Sequence, residues 1–435
     1  MICSISRLRL PVAVKTARVR ALSVQSKRPL NLYRCLSTKA TSSSTPATTL
    51  YMWGTDSKGT LLKPEDRADE KKIDVPTPFA DLQTALGLEA TPDGSAAVSI
   101  KSVSCGPTDT AWILQDGRCF VGGENKQGQA GVGHKNPVLK PTQITLPSEK
   151  PGTAVKTVAM GSNFSAFVDA AGDLYTAGFG GSNFSGSGYL GHGDGESYLE
   201  PKLVESLVQD GCTVDQVEVG EAHITVLTTE GEVLTAGAGS YGRLGNFETI
   251  DQLYLEPVEI LTQGVTQIAG GKSFTLALTN EGVLYGWGRN HKGQLGTGLG
   301  LAVDMYAMEP VPSPIEADEL LGRKVIKVTA GHSHAACITE SGELFYWGMA
   351  LYLEPVRVNE LLNTHVVDVV CGQDYTLVVD KEGKMYSFGN GKNGALGQGS
   401  VKQLNQAAVM EALQDKKVTY VSAGWKHAAC LVQDL

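Results

Sequence analysis

No acidic residue occurs before Asp56, although the 435-residue chain carries 46 acidic residues against 37 basic ones. The same opening stretch holds Arg7, Arg9, Lys15, Arg18, Arg20, Lys27, Arg28, Arg34 and Lys39, and it is rich in serine and threonine. It lacks the continuous apolar core of a secretory signal, so its composition is that of an organelle transit peptide. Arg34-Cys35-Leu36-Ser37 has the form of a matrix-processing site, with cleavage after Leu36. Residues 1–49 are therefore expected to be a transit peptide and disordered linker. Mitochondrial import (matrix or inner-membrane-associated) is the first reading and plastid import the alternative; a basic tail for nucleic acid competes with both. No apolar run approaches the roughly 18 residues that cross a bilayer, so no transmembrane segment is expected. The eight cysteines lack the paired spacing of a zinc site or a disulfide framework, and no metal or cofactor is expected. Without the nine basic residues of the leader, the net charge shifts from −9 to −18. A phosphate-tracking surface needs clustered positive charge, so direct nucleic-acid binding is disfavoured and a partner with a basic surface is favoured.

What the chain has in abundance is glycine, 51 residues of it, much of it in one repeated frame. Gly106, Gly161, Gly220, Gly271, Gly331, Gly372 and Gly424 serve as anchors. A second glycine follows 11 residues after each of the first six, and a third 6 residues beyond that, as in Gly271, Gly282 and Gly288. Valine or isoleucine stands 6 and 3 residues before every anchor, as in Val325 and Val328. Short β-branched runs bounded by glycine are strand signals. Asp116-Gly117, Glu230-Gly231, Glu281-Gly282 and Glu382-Gly383 separate two apolar runs and mark hairpins, because glycine adopts positive φ without steric cost. Anchor spacings of 55, 59, 51, 60, 41 and 52 residues suit propeller blades of four short strands. Gly424 lies too near the C-terminus for a third glycine, and the missing piece stands at the other end as Tyr51-Met52-Trp53-Gly54. The frame predicts an all-β, seven-bladed β-propeller over residues 50–435, closed by N- and C-terminal strands in one blade.

The valine-x-x-valine-x-x-glycine frame, the acidic-glycine turn, Tyr285-Gly286-Trp287-Gly288 and Asn290-His291-Lys292-Gly293-Gln294-Leu295-Gly296 together resemble the regulator of chromosome condensation repeat. The resemblance covers roughly residues 50 to 432. It implies the propeller fold and a choice of tasks, since the founding member is a nucleotide exchange factor for a nuclear Ras-like GTPase and other members inhibit enzymes, sense ultraviolet light or serve as docking rings. Fold alone does not choose among these. Mitochondrial members are tied to mitoribosome maturation and to a dynamin-like fusion GTPase. The leading expectation is a monomeric mitochondrial propeller of this type that binds an organelle GTPase and acts as its guanine nucleotide exchange factor. A non-exchanging scaffold for mitochondrial ribosome assembly or RNA processing is the alternative.

Several motifs suggest an enzyme and fail. Gly237-Ala238-Gly239-Ser240-Tyr241-Gly242 satisfies the dinucleotide fingerprint but sits between strands, without the helix whose N-terminus meets a pyrophosphate. Gly271-Lys272-Ser273 lacks the first glycine of a phosphate loop. His223, His334 and His427 share the position 3 after the anchor, where other units have Phe164, Phe274, Tyr375 or Asp109, and packing with a polar edge near the central shaft is the reading for them. No nucleophile–histidine–acid group can be assembled, so an enzyme is not expected. Departures from the repeat are better pointers, because loops carry function on a rigid scaffold. Phe179 to Asp194 is a glycine- and serine-rich insert containing Phe184, Tyr189, His192 and Asp194. The resemblance implies a wedge against a GTPase for such an insert, and Phe179, Phe184, Tyr189, His192 and Asp194 are the candidate partner-binding residues; a flexible decoration is the other reading. After Trp347-Gly348 the Asn-x-x-Gly-Gln-Leu-Gly loop is missing, which should indent the rim there. Lys63 to Asp93 is a third variable region.

Overall fold

The computed structural model describes residues 48–62, 71–79, 82–88, 98–147, 153–300 and 307–434. The leader and its processing site lie outside these residues. Residues Pro46–Leu435 form one compact unit. It contains seven four-stranded antiparallel sheets, each running from an innermost to an outermost strand. Blade 1 is built from Ile100–Cys105, Asp109–Leu114, Cys119–Gly123 and Val138–Ile144. Blades 2 to 6 repeat this plan from innermost strands Val155–Met160, Val214–Val219, Val265–Gly270, Val325–Ala330 and Val366–Cys371. The innermost strand of each blade contacts that of the next, and the cycle returns from Lys416–Ala423 of blade 7 to Ile100–Cys105 of blade 1.

Blade 7 closes the ring. Its strands run, from the axis outward, Lys416–Ala423, His427–Asp434, Thr49–Thr55 and Lys72–Phe79. Tyr51 lies opposite Cys430 and Trp53 opposite Ala428, so the two ends of the ring sequence are joined by a ladder of backbone hydrogen bonds. The outermost strand lies inside the stretch read from sequence as a variable insert. Pro76 and Pro78 hide it from propensity, but an edge strand tolerates prolines that an inner one would not.

The repeated residues hold neighbouring blades together. The indole N–H of Trp53 donates to the Ala395 carbonyl of blade 6 (2.8 Å), that of Trp287 to Arg243 of blade 3 (3.1 Å), and that of Trp347 to Gln294 of blade 4 (3.0 Å). The Tyr-x-Trp-Gly motif is thus a pin between blades. At Gly296 an added Cβ would lie 2.8 Å from the Trp347 indole nitrogen, which explains the glycine closing the preceding loop. Inside the shaft, where innermost strands splay too far apart to pair, side chains span the gap. The Gln267 amide donates to the Val328 carbonyl (2.9 Å) and accepts from its N–H (3.0 Å), and Gln216 bonds Thr266 and Ile268 in the same way.

The position 3 after each anchor is fully buried and forms the third device. The rings of His223, His334 and His427 lie over their own anchor glycines, where a Cβ would come within 2.9 Å of the ring. Their Nε2 atoms pair with Thr275 (3.1 Å), Thr376 (3.3 Å) and Thr110 (2.8 Å) of the following blade. Burial pushes these imidazoles down, His223 to about 3 and His334 and His427 to about 4, so they are neutral at pH 7. Where the position holds Phe164 or Phe274, the matching residue of the next blade is Ile224 or Ala335 rather than threonine. Burial also raises the thiols of Cys105, Cys119 and Cys371 to about 12, which keeps them as inert core groups.

Candidate functional site

In each up-and-down blade the anchor-glycine loop and the loop between third and fourth strands open on one face, and the acidic-glycine turns on the other. The inserted segment of blade 2 is a third-to-fourth connection, so it rises on the anchor face. It folds into a small hairpin, Gly181–Ser182 against Gly186–Ser187. Phe184 sits at its tip with its side chain 100% exposed. Serine and glycine build the turn: Ser182 and Ser185 hydroxyls lie 2.8 Å apart, and Gly181 and Gly186 have φ of 118° and 93°.

The structure divides the five candidate residues. Phe184 alone projects into solvent. Tyr189 is buried between Phe164 and Phe179, with ring centroids 5.8 and 5.6 Å away, and its hydroxyl donates to the Ser185 carbonyl at 2.7 Å. Phe179 is half-buried against the same cluster. His192 pairs with the Thr176 hydroxyl at 2.9 Å, and burial pushes its imidazole down to about 4. Asp194 accepts from the Tyr198 hydroxyl at 2.9 Å, which in turn accepts from Lys202 at 2.7 Å. Four of the five therefore brace the base of the hairpin, and one is its point.

Sequence reasoning missed the residues of blade 3 that support the hairpin. Asp251 is the staple: one carboxylate oxygen accepts from the Ser187 N–H (2.9 Å) and the other from the Gly239 N–H (3.0 Å). The insert is thereby fastened to the neighbouring blade. In the same loop Phe247 and Ile250 are 58% and 66% exposed, and Phe247 adopts a left-handed φ of 71°. A bulky residue with positive φ costs about 1–2 kcal/mol, which the hydrogen bond from the Phe247 N–H to Pro310 (3.0 Å) helps to hold. Phe184, Phe247 and Ile250 stand as exposed apolar side chains along the rim of the anchor face.

Inboard of this rim the face is polar. Tyr241, also left-handed at φ 64°, lies under the Arg289 guanidinium (4.4 Å) and near that of Arg243 (5.5 Å). Glu221 and Lys272 pair at 3.2 Å beside the shaft mouth, and the His332 ring meets Trp425 edge to face at 5.4 Å. In blade 5 the missing loop is replaced by a tight turn whose Met349 and Ala350 have φ of 55° and 59°, and Leu351 is exposed beside it. A surface depression of about 590 Å³ lies elsewhere, along the outer strand of blade 2, lined by Leu199, Glu200, Pro201 and Lys202. Among the described residues no group of three potential metal ligands occurs.

Residues 38–353 match the RCC1-like domain, and RCC1 repeats match at 366–395 and 382–431. The chain belongs to the RCC1-like family. It is 27% identical over 396 residues to the mitochondrial RCC1 domain-containing protein RUG3 of Arabidopsis thaliana, covering 88% of this chain and 75% of that one. It is 32% identical over 234 residues to the secretion-regulating guanine nucleotide exchange factor of Bos taurus, covering 53% and 47%. It spans only 7% of the human E3 ubiquitin-protein ligase HERC2 and 56% of the Arabidopsis ultraviolet-B receptor UVR8. Prp20p of Saccharomyces cerevisiae has the same fold, with a TM-score of 0.75 at 22% identity over 90% of this chain and 93% of its own.

Proposed function

We propose that this protein is a mitochondrial propeller that docks an organelle GTPase on the anchor face and accelerates its nucleotide release, in the service of mitoribosome maturation or membrane fusion. The observation that carries this reading is the blade 2 hairpin, which presents a wholly exposed phenylalanine on a base fastened to blade 3 by Asp251. An exchange factor needs no covalent chemistry. It binds the nucleotide-free or distorted GTPase better than the loaded one, and a rigid apolar wedge does this by favouring an opened site. The family supports the reading: one relative is named as an exchange factor, another as mitochondrial, and Prp20p is described for its binding of Gsp1p and histones. The basic, acid-free leader supports the location.

Release of a fluorescent GDP analogue from purified mitochondrial GTPases, with and without the protein, tests this. Phe184→Ala should cut the acceleration at least about tenfold, as loss of an exposed anchor at the centre of a contact does. Its thermal unfolding should be unchanged, because the side chain packs on nothing. No acceleration of any candidate by the wild type removes exchange; co-sedimentation with mitochondrial ribosomes that survives deletion of the hairpin would leave the scaffold.

A further inference from the structure

The anchor face carries a second feature that the wedge does not use. From the blade 2 hairpin a strip of cations and rings crosses blades 3 and 4 and ends at the shortened turn of blade 5. Arg243 and Arg289 flank Tyr241, and the charges of Arg289, Lys292 and His332 all bear on His291. Those of Lys272 and Lys292 bear on His332. The strip ends at blade 5 because Ala350, in the two-residue turn, donates its N–H to the Lys292 carbonyl at 2.9 Å where other blades carry a full loop. The carboxylates near it are Glu221, paired with Lys272, Asp374, and Asp251, which is spent on backbone N–H groups. Among the described residues, Arg243, Arg289 and Lys292 have no carboxylate at salt-bridge distance.

A second, independent observation points to an absent acceptor. The Nε of Arg289 and the Nδ1 of His291 are buried atoms without a hydrogen-bond partner. An unspent buried donor costs about 1–3 kcal/mol, so a strip that keeps the unpartnered Arg289 Nε–H beside cations without a carboxylate partner is arranged for an anionic acceptor. Its surroundings decide which. Beyond its leader the chain has a net charge of −18. A nucleic-acid strand carries charge along its whole length and would run from the strip onto repelling surface. A short carboxylate-bearing segment ends where the cations end.

We propose that the strip formed by Tyr241, Arg243, Lys272, Arg289, His291 and Lys292 is a binding site for an acidic peptide segment of a partner protein. The segment lies across blades 3 and 4 and leaves the ring over the blade 5 turn. Its carboxylates accept from Arg289 and the neighbouring cations, and Tyr241 gives it an aromatic floor. This goes beyond the exchange reading and does not depend on it.

Fluorescence anisotropy of the full chain with a labelled octapeptide of alternating Asp and Glu tests the site, with an octapeptide of Lys and Gly and an octauridylate as competitors. Saturable binding of the acidic peptide is expected, weakened about tenfold by raising salt from 50 to 300 mM and about tenfold by the Arg289→Glu/Lys292→Glu double variant. Lys292→Glu alone should weaken it about threefold, and it tests the site even if the double variant folds poorly, since the hydrogen bonds of Lys292 are made by its backbone. Lys140→Glu, on the exposed outer strand of blade 1, should leave binding unchanged. The proposal is overturned by unaltered binding in Lys292→Glu and the double variant, by octauridylate binding more tightly than the acidic peptide, or by no saturable binding at low salt. No GTPase enters this assay, so its failure leaves the exchange reading standing.

Discussion

The seam between blades 7 and 1 and the seam between blades 1 and 2 use the same positions of the repeat with different chemistry. At the first, His427 meets Thr110. The Thr110 hydroxyl lies 2.8 Å from both the Thr60 carbonyl and His427 Nε2. A carbonyl cannot donate, so the single hydroxyl proton goes to Thr60 and the imidazole carries its proton on Nε2. At the second seam stand Asp109 and Ser165, which do not bond each other: the Ser165 hydroxyl has no hydrogen-bond partner, and the Asp109 carboxyl is met only by the backbone N–H groups of Thr108 and Asp109 and the Gln129 amide, none in good hydrogen-bond geometry. Burial pushes the Asp109 carboxyl well up. The ring is thus held by seams of unequal quality, and the contrast teaches that the repeat keeps a place for a pair rather than a residue: imidazole with threonine, phenyl with an aliphatic side chain, and one carboxyl facing a serine that it does not bond.

The largest way to break the contrast is acid. The three seam histidines have folded pKa values of about 3 to 4, below the ordinary value near 6.5. Between those limits the unfolded chain binds more protons than the folded one, so stability is lost as pH falls from about 6.5 and is unaffected above it. At pH 5 the expected loss is about 2 kcal/mol for each histidine. Urea unfolding at pH 7 and pH 5 measures it. His334→Phe with Thr376→Ala copies the Phe274–Ala335 seam and should remove about 2 kcal/mol, a third of the part due to the seam histidines, from a total to which His192 and His291, also pushed down to about 4, add. An unchanged pH profile in that variant would falsify the assignment.

A smaller effect, confined to one seam, comes from its anchor glycine. A Cβ on Gly424 would lie 2.2 Å from the Gly106 carbonyl oxygen, so Gly424→Ala must push blades 7 and 1 apart. The expected cost is about 3 kcal/mol in chemical denaturation. Gly211→Ala, with no atom within 4 Å of the new methyl, should cost only the about 1 kcal/mol of its left-handed φ of 71°. Equal costs for the two would mean that close approach between blades is not why the anchors are glycine.

These particulars show how far the sequence was legible. The frame from Ile100 to Ala423 yields seven blades because each unit repeats a local necessity, a hairpin turn or a backbone contact, that needs glycine wherever it occurs. The closing strand was legible because Trp53 carries the same pin as Trp287 and Trp347. Lys72–Phe79 was not, since an outermost strand has a partner on one side only and little constraint on its residues. In the candidate site, composition marked the insert but not its anatomy. Tyr189, His192 and Asp194 look like contact residues in a glycine-rich segment, and only the fold reveals that Thr176, Ser185 and Tyr198 consume them. Asp251 lies some 60 residues away in sequence and acts on the insert through blade-to-blade contact, a relation no local pattern carries.

The smallest effect would sharpen the comparison by abolishing it. Asp109→His with Ser165→Thr transplants the His427–Thr110 pair into the poor seam. Burial holds the Asp109 carboxyl well above its usual range, so ionising it is harder in the fold than in the unfolded chain, and that difference works against folding as pH rises above about 4. Replacing it by a neutral, hydrogen-bonded imidazole should stabilise the ring by about 1 kcal/mol at pH 7. The advantage should shrink as pH falls below 6.5 and invert near pH 4, where the unfolded imidazole takes up a proton and the aspartate penalty has gone. Asp109→His alone, facing Ser165, should gain less than the double variant. A double variant no more stable than wild type at pH 7, or an advantage that does not decline with acid, would mean that Asp109 is held by interactions specific to its own seam.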